Sequence, residues 1–153
     1  MLPATAGLSG LCAAFAGLAG TLTAERFHHL SQLPKRILCV EDNEDICFML
    51  TTMLSGSGYT VSSATGPAAA VTLIRDEHFD LFILDNKFGA ESGIELCQTI
   101  RVICPDTPVI FYSGAAYESD RQEALGAGAR AYITKPGIEE LVVAVRRILE
   151  AEK

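Results

Sequence analysis

Residues 80–85 of this chain read Asp80-Leu81-Phe82-Ile83-Leu84-Asp85, with four consecutive apolar residues between two aspartates. A short continuous apolar run, without alternation, is typical of a strand that is covered on both faces of its sheet. The run ends directly at Asp85. Because ligands of open parallel sheets bind at the carboxyl ends of the strands, chemistry is expected at this aspartate.

Four further apolar runs lie on either side of this one. They are Arg36-Ile37-Leu38-Cys39-Val40, Tyr59-Thr60-Val61, Pro108-Val109-Ile110-Phe111-Tyr112 and Ala131-Tyr132-Ile133. Stretches with helical spacing separate the runs and are predicted to begin near Asn43, at Pro67, before Ile94, near Glu118 and at Ile138. The order β-α, five times over, predicts an α/β fold in which helices cover both faces of a parallel sheet.

The first 34 residues differ in composition from the rest of the chain. They hold only one of the 19 acidic and one of the 12 basic residues, so the net charge of −7 sits on residues 35–153. A signal peptide would begin with a positive charge, and glycines dilute this stretch as a membrane span. We predict a poorly ordered N-terminal extension over 1–34, with an anchor or a misplaced start as alternatives, and one domain over 35–153.

The composition argues against several classes of protein. A net charge of −7 disfavours binding to nucleic acid or to an anionic membrane surface. A hydrophobic content of 49% is too high for an intrinsically disordered chain. The five cysteines are an odd number without a Cys-x-x-Cys pair, which indicates neither a disulfide framework nor a zinc site and favours a reducing, cytoplasmic compartment.

Polar side chains follow four of the predicted strands. Glu41 and Asp42 come after the first, Asp85 after the third, Ser113 after the fourth and Lys135 after the fifth. Three carboxylates at one sheet edge repel one another, and a hard divalent cation such as Mg²⁺ relieves that repulsion. Together with the ammonium and the hydroxyl, this predicts a site for an incoming phosphoryl group, with Asp85 as the candidate nucleophile.

Residues 36–151 resemble the receiver domain of two-component response regulators, in particular a CheY-like single-domain receiver. The resemblance is carried by residues 37–43, by residues 80–85 followed by Gly93, by residues 108–114 and by residues 128–136. Each motif alone is weak, but all of them in this order and spacing are specific. The resemblance implies a flavodoxin-like, doubly wound (βα)5 fold with a five-stranded parallel sheet and five helices.

The resemblance also implies a metal site. Asp85 would be the phosphoacceptor and a ligand of Mg²⁺, and Asp42 would bind the ion directly. Glu41, which replaces the more frequent aspartate, would act through water. The backbone carbonyl of Lys87 would be the third protein ligand.

A second set of residues is implied to form the switch. Ser113 would be the hydroxyl that moves to contact the phosphoryl group, and Lys135 would be the lysine that pairs with it. Tyr132 stands at the aromatic position expected to turn inward as Ser113 moves. The peptide bond before Pro136 is often cis in this family, and Gly89 replaces a common proline, which predicts a more mobile loop.

The resemblance implies a sensor histidine kinase or a histidine phosphotransfer protein as phosphate donor. Because the chain ends about one helix after Lys135, we expect a stand-alone receiver whose output is binding to an unknown downstream protein. The implied surface is the face of the fourth helix, fifth strand and fifth helix. We expect no nucleic-acid or membrane partner, a monomer or weak dimer, and a signalling protein that catalyses only its own phosphorylation and dephosphorylation.

Three alternatives differ from this hypothesis in what they need. A receiver-like interaction module that acts without phosphorylation would not need the charge cluster. An aspartyl-phosphate phosphatase of the haloacid dehalogenase type would need Asp-x-Asp, whereas Lys87 stands at the second position. A flavin carrier would need a loop rich in Ser, Thr and Gly after the first strand, where Glu41, Asp42 and Glu44 would repel a phosphate.

Overall fold

The computed structural model of the protein describes residues 24, 29 and 31–151. The chain divides into two compact units, Met1–Leu33 and Pro34–Lys153. The prediction of a poorly ordered extension over residues 1–34 therefore falls almost wholly outside the described residues. Among the residues that are described, no helix combines the length and the apolar character that a membrane crossing requires.

Five strands and five helices alternate along the described part of the second unit. They are β1 Arg36–Val40, α1 Glu44–Gly56, β2 Thr60–Ala64, α2 Pro67–Asp76, β3 Leu81–Leu84, α3 Gly93–Ile103, β4 Val109–Ser113, α4 Glu118–Gly126, β5 Ala131–Thr134 and α5 Ile138–Ala151. The strands form one sheet in the order β2-β1-β3-β4-β5, and all neighbouring strands run parallel. This confirms the predicted flavodoxin-like, doubly wound fold.

Both faces of the sheet are covered by helices. In β1, Leu38 and Val40 pack into a core that includes side chains of α2, α3 and α4, while Ile37 and Cys39 pack with α1 and α5. All four side chains are at most 1% exposed. Since successive side chains of a strand point to opposite faces, a strand buried on both faces must be apolar throughout, as the continuous runs predicted.

Local signals set the ends of the helices. The Asn43 side chain accepts the N–H of Ile46 and so caps the N-terminus of α1. Pro67 occupies the first turn of α2. After α1 the chain turns at Gly58, whose φ of 94° lies in the left-handed region that favours glycine. These boundaries agree with those predicted from the sequence.

Two parts of the unit differ from the sequence prediction. Strand β2 runs to Ala64 rather than ending at Val61, because this edge strand is only half-buried and accepts the polar residues 62 and 63. Beyond β3, Lys87–Phe88 pairs with Glu91–Ser92 in a short antiparallel ribbon that the sequence analysis missed. Two-residue strands carry no periodicity from which they could be recognised.

Candidate functional site

The predicted acidic residues meet at the carboxyl edge of the sheet. Strands β1 and β3 are direct neighbours, and Val40 pairs with Leu84 in their register. Glu41 and Asp85 are the next residues along each strand, so the parallel pairing places them side by side. One carboxylate oxygen from each of Glu41, Asp42 and Asp85 lies within 4.8 Å of the other two.

Lys135 reaches into this cluster from the end of β5. Its Nζ lies 2.7 Å from Glu41 Oε2 and 3.1 Å from Asp85 Oδ2. The lysine side chain is 18% exposed and the Glu41 side chain 3% exposed. Because an unpaired buried charge is costly, the ammonium of Lys135 compensates the charge of the buried Glu41 carboxylate.

The burial of Glu41 and Lys135 shifts their titration. Burial raises the pKa of Glu41, and the hydrogen bonds from Lys135 and from the Asn43 N–H, which lies 3.1 Å from Oε1, offset part of that rise. Burial alone would lower the pKa of Lys135. The hydrogen bond to Glu41 and the charge of Asp85 outweigh it, so the lysine pKa lies above its ordinary value. Lys135 is therefore a cation at neutral pH.

The carboxylate of Asp85 is held by backbone as well as by Lys135. The N–H of Asn86 donates to Asp85 Oδ1 over 2.6 Å. The N–H of Asp85 itself donates to the Val40 carbonyl over 3.1 Å, which continues the β1–β3 pairing by one residue. The side chain thus follows a strand end that is fixed in the middle of the sheet.

Ser113 and Tyr132 both hydrogen-bond to the backbone of Ala115, in the loop after β4. Ser113 Oγ accepts the N–H of Ala115 over 3.2 Å, and the Tyr132 hydroxyl donates to the Ala115 carbonyl over 2.7 Å. Tyr132 is 5% exposed, so its ring lies inward. Burial raises the pKa of Tyr132, and the nearby Ser113 hydroxyl offsets part of that rise. The backbone of Ala115 therefore links the two predicted switch residues.

The remaining predicted positions lie in the ribbon and after Lys135. Lys87 pairs with Ser92, and its side chain is exposed. The proposal that the backbone carbonyl of Lys87 binds a metal ion stays a prediction. Gly89 has a φ of 61° and makes the turn of the ribbon. Whether this loop is more mobile than in relatives with a proline at this position stays a prediction. The Lys135–Pro136 peptide bond is cis, as the resemblance implied.

Two further side chains, Cys47 and Tyr112, lie beside the cluster. The Cys47 thiol, half-buried in α1, donates to the Glu41 carbonyl with Sγ 3.2 Å from the oxygen. The Tyr112 ring centre lies 5.7 Å from Lys135 Nζ, within range of a cation–π contact. Tyr112 is the last residue of its apolar run, directly before Ser113, and its burial fits packing within the strand.

The chemistry of the donor set decides which metal would fit. Every side-chain donor among Glu41, Asp42 and Asp85 is a carboxylate oxygen, with the first buried, the second exposed and the third intermediate. Hard oxygen ligands of this kind suit Mg²⁺, which binds through a few carboxylates and keeps several waters. The residues present therefore fit the predicted ion.

Comparison with known proteins relates most of the second unit to one family. The family model of the response regulator receiver domain matches residues 37–146. A transcriptional regulatory protein of Bacillus subtilis, YrkP, described as uncharacterized, is 42% identical over 105 residues, which are 69% of this chain and 45% of that protein. The chain spans about half the length of the curated relatives it matches.

Two solved structures resemble the chain over nearly their whole length. A CheY-like receiver domain protein from Methanospirillum hungatei is 30% identical with a TM-score of 0.72, over 78% of this chain and 97% of that one. The response regulator TrrA of Thermotoga maritima, solved in complex with Mg²⁺-BeF, is 30% identical with a TM-score of 0.68. That match covers 74% of this chain and 98% of TrrA.

Proposed function

Because the chain belongs to the response regulator receiver family, we propose that it accepts a phosphoryl group on Asp85 and signals through the resulting change in conformation. The arrangement around Lys135 supports this most strongly. Its ammonium lies 3.1 Å from Asp85 Oδ2, beside two further carboxylates that would hold a divalent cation. A divalent cation on one side of the Asp85 carboxylate and the Lys135 ammonium on the other would favour transfer of a phosphoryl group to Asp85.

The donor is a phosphohistidine of a sensor histidine kinase or of a histidine phosphotransfer protein. A carboxylate oxygen of Asp85 attacks the phosphorus, so that an O–P bond forms while the P–N bond breaks. The leaving imidazole keeps the electron pair of that bond and takes a proton from water. Lys135 offsets the charge on the phosphoryl oxygens throughout the transfer.

Mg²⁺ would be held by Asp42, by Asp85, by the Lys87 carbonyl and, through water, by Glu41. When bound, the ion supplies positive charge that offsets the repulsion between the carboxylates and the incoming phosphoryl group. The Mg²⁺-BeF complex of TrrA supports this assignment by analogy. The buried Glu41, with both oxygens accepting hydrogen bonds, fits the indirect role best.

The signal leaves the site through Ser113, Ala115 and Tyr132. Movement of the Ser113 hydroxyl toward a phosphoryl group would disturb the bond that its Oγ accepts from the Ala115 N–H, and Ala115 also carries the acceptor of the Tyr132 hydroxyl. Tyr132 borders a surface groove between α4, β5 and α5. The groove is lined by residues that include Arg121, Leu125, Arg130, Ile133, Val143 and Arg147. A downstream protein would bind this face in one of its two states.

Under this proposal the chain is a signalling protein rather than an enzyme, since Asp85 is itself modified and water later removes the phosphoryl group. The odd cysteine count favours the cytoplasm, where histidine kinases present their phosphohistidine, as the site of the reaction.

Intact-mass measurement with acetyl phosphate and Mg²⁺ tests the proposal. We expect one phosphoryl adduct on the wild type, none on Asp85→Asn and none without Mg²⁺. Asp106→Asn removes an exposed aspartate elsewhere in the same domain and should keep the adduct. If folded wild type carries no adduct with this donor or with a phosphorylated histidine phosphotransfer protein, a receiver-like module that acts without phosphorylation replaces the proposal.

A further inference from the structure

Gly93, the first residue of α3, lies against the backbone that follows the phosphoacceptor. A Cβ atom at Gly93 would stand 2.0 Å from the Asp85 carbonyl oxygen and 3.0 Å from the Cα of Asn86. These are backbone atoms, so no side-chain rotation could relieve the contact. The φ of Gly93 lies outside the left-handed region, unlike that of Gly89. Space, rather than backbone conformation, is therefore what excludes a side chain at Gly93.

The peptide that Gly93 contacts also holds the carboxylate of Asp85. The Asp85 carbonyl and the Asn86 N–H belong to one planar unit, and that N–H donates to Asp85 Oδ1 over 2.6 Å. The Gly93 N–H in turn donates to the Asn86 carbonyl over 2.8 Å. The start of α3 therefore fixes the peptide on which one oxygen of the phosphoacceptor depends.

We propose that Gly93 is a positioning residue for phosphoryl transfer; this proposal rests on the proposed function of Asp85. Its missing side chain lets α3 seat the Asp85–Asn86 peptide, and this sets where the Asp85 carboxylate lies relative to Asp42 and Lys135. In Gly93→Ala, the Cβ would lie 2.0 Å from the Asp85 carbonyl oxygen, and relieving this clash to 3.0 Å would displace the Asp85–Asn86 peptide or the start of α3 by about 1 Å. A misplacement of about 1 Å can cost on the order of 10²-fold in rate.

Three variants of the full chain separate positioning from loss of stability. Gly93→Ala introduces the clash. Gly126→Ala adds the same atom to a helical glycine with nothing within 4 Å of its Cβ. Ile100→Val removes a buried methyl from α3 itself and lowers the melting temperature without touching the loop. For each, the Mg²⁺ dissociation constant comes from thermal unfolding at a series of Mg²⁺ concentrations, and the phosphorylation rate comes from intact mass with acetyl phosphate at 25 °C.

We expect Gly93→Ala to lower the phosphorylation rate by about 10²-fold and to weaken Mg²⁺ binding by about tenfold. Gly126→Ala and Ile100→Val should keep both quantities within about twofold, even where Ile100→Val melts earlier. A folded Gly93→Ala protein with wild-type rate and Mg²⁺ affinity would overturn the proposal. If the wild type accepts no phosphoryl group, the proposed function fails, while the Mg²⁺ affinity still tests the effect of Gly93 on the carboxylates.

A measurement on the wild type keeps the proposal testable if Gly93→Ala does not fold. Because the Gly93 N–H is bonded to the Asn86 carbonyl, its amide resonance should shift on Mg²⁺ titration with the same midpoint as those of Asn86 and Lys87. A Gly93 resonance that stays in place while the Asn86 resonance moves would show that α3 does not position this peptide.

Discussion

Lys135 Nζ and Glu41 Oε2 lie 2.7 Å apart in an interior where the glutamate side chain is 3% exposed. The pair joins the end of β5 to the end of β1, across the two strands that lie between them in the sheet. The same ammonium also touches Asp85. Removing one partner therefore affects the whole cluster.

Replacement of Lys135 should show how strongly the cluster depends on its ammonium. Lys135→Met leaves the buried Glu41 charge without its counterion, and we expect a loss of about 3 kcal/mol in the free energy of unfolding. Adding Glu41→Gln to Lys135→Met should recover most of this loss, since the unpaired charge is then gone. Urea unfolding of the wild type, both single variants and the double variant gives the coupling energy. Additive losses would contradict the pairing.

Mg²⁺ should stabilise the folded protein through Asp42. At a free Mg²⁺ concentration ten times the dissociation constant, binding adds about 1.4 kcal/mol to the free energy of unfolding. Asp42→Asn should abolish this gain, and its metal-free form should melt above the metal-free wild type because one repelling charge is removed. Asp45→Asn, in the first turn of α1, is the control and should keep the gain. An Asp42→Asn protein that Mg²⁺ still stabilises would refute the metal assignment.

The hydroxyl of Tyr132 should contribute measurably to stability. Tyr132→Phe removes its bond to the Ala115 carbonyl, for which we expect a loss of about 1 kcal/mol in urea unfolding. Tyr117→Phe removes the hydroxyl of a tyrosine that is 78% exposed and should change stability by less than about 0.5 kcal/mol. Equal effects of the two variants would argue against a special role for the Tyr132 contact.

Stability should fall as the pH rises above 9. Burial raises the pKa of Cys39 well above its ordinary value of 9.0. The unfolded chain then releases this proton at a pH where the folded chain keeps it, so unfolding becomes more favourable by about 1.4 kcal/mol per pH unit. Urea unfolding between pH 8 and 10.5 should show a shallower decline for Cys39→Ala than for the wild type. The same slope in both would exclude Cys39 as a source of the decline.

The lifetime of the phosphorylated form should depend on Lys87. Its exposed ammonium sits in the ribbon two residues after Asp85, and we expect it to shield the acyl phosphate from attacking water. Lys87→Ala should therefore lose its adduct faster than the wild type when the decay is followed by intact mass. Lys35→Ala, directly before β1 and so at the amino ends of the strands, is the matched control. Slower decay of the adduct on Lys87→Ala than on the wild type would contradict the shielding hypothesis.

The sheet and its acidic edge could be predicted because their signals are local. Each apolar run ends at a charged or hydroxyl residue, and parallel pairing then forces strand ends such as Glu41 and Asp85 together. The extent of β2 could not be predicted, since an edge strand tolerates the serines at 62 and 63.

The backbone contacts of the site could not be predicted from the sequence. Ala115 joins Ser113 to Tyr132 through its N–H and its carbonyl, which every residue but proline possesses. Gly93 was visible as a glycine in a motif, but the sequence does not show which atoms a side chain there would meet. Contacts of this kind depend on the three-dimensional path of the chain.

The ion pair between Glu41 and Lys135 closes a loop of 94 residues. Closing a long loop costs conformational entropy, so contacts between residues so far apart in the chain slow folding. During synthesis on the ribosome, the strand carrying Asp85 emerges some 50 residues before the lysine that contacts it. A nascent or truncated chain that lacks β5 would hold Asp85 without its ammonium partner. The charge balance of the site is thus complete only once β5 has joined the sheet.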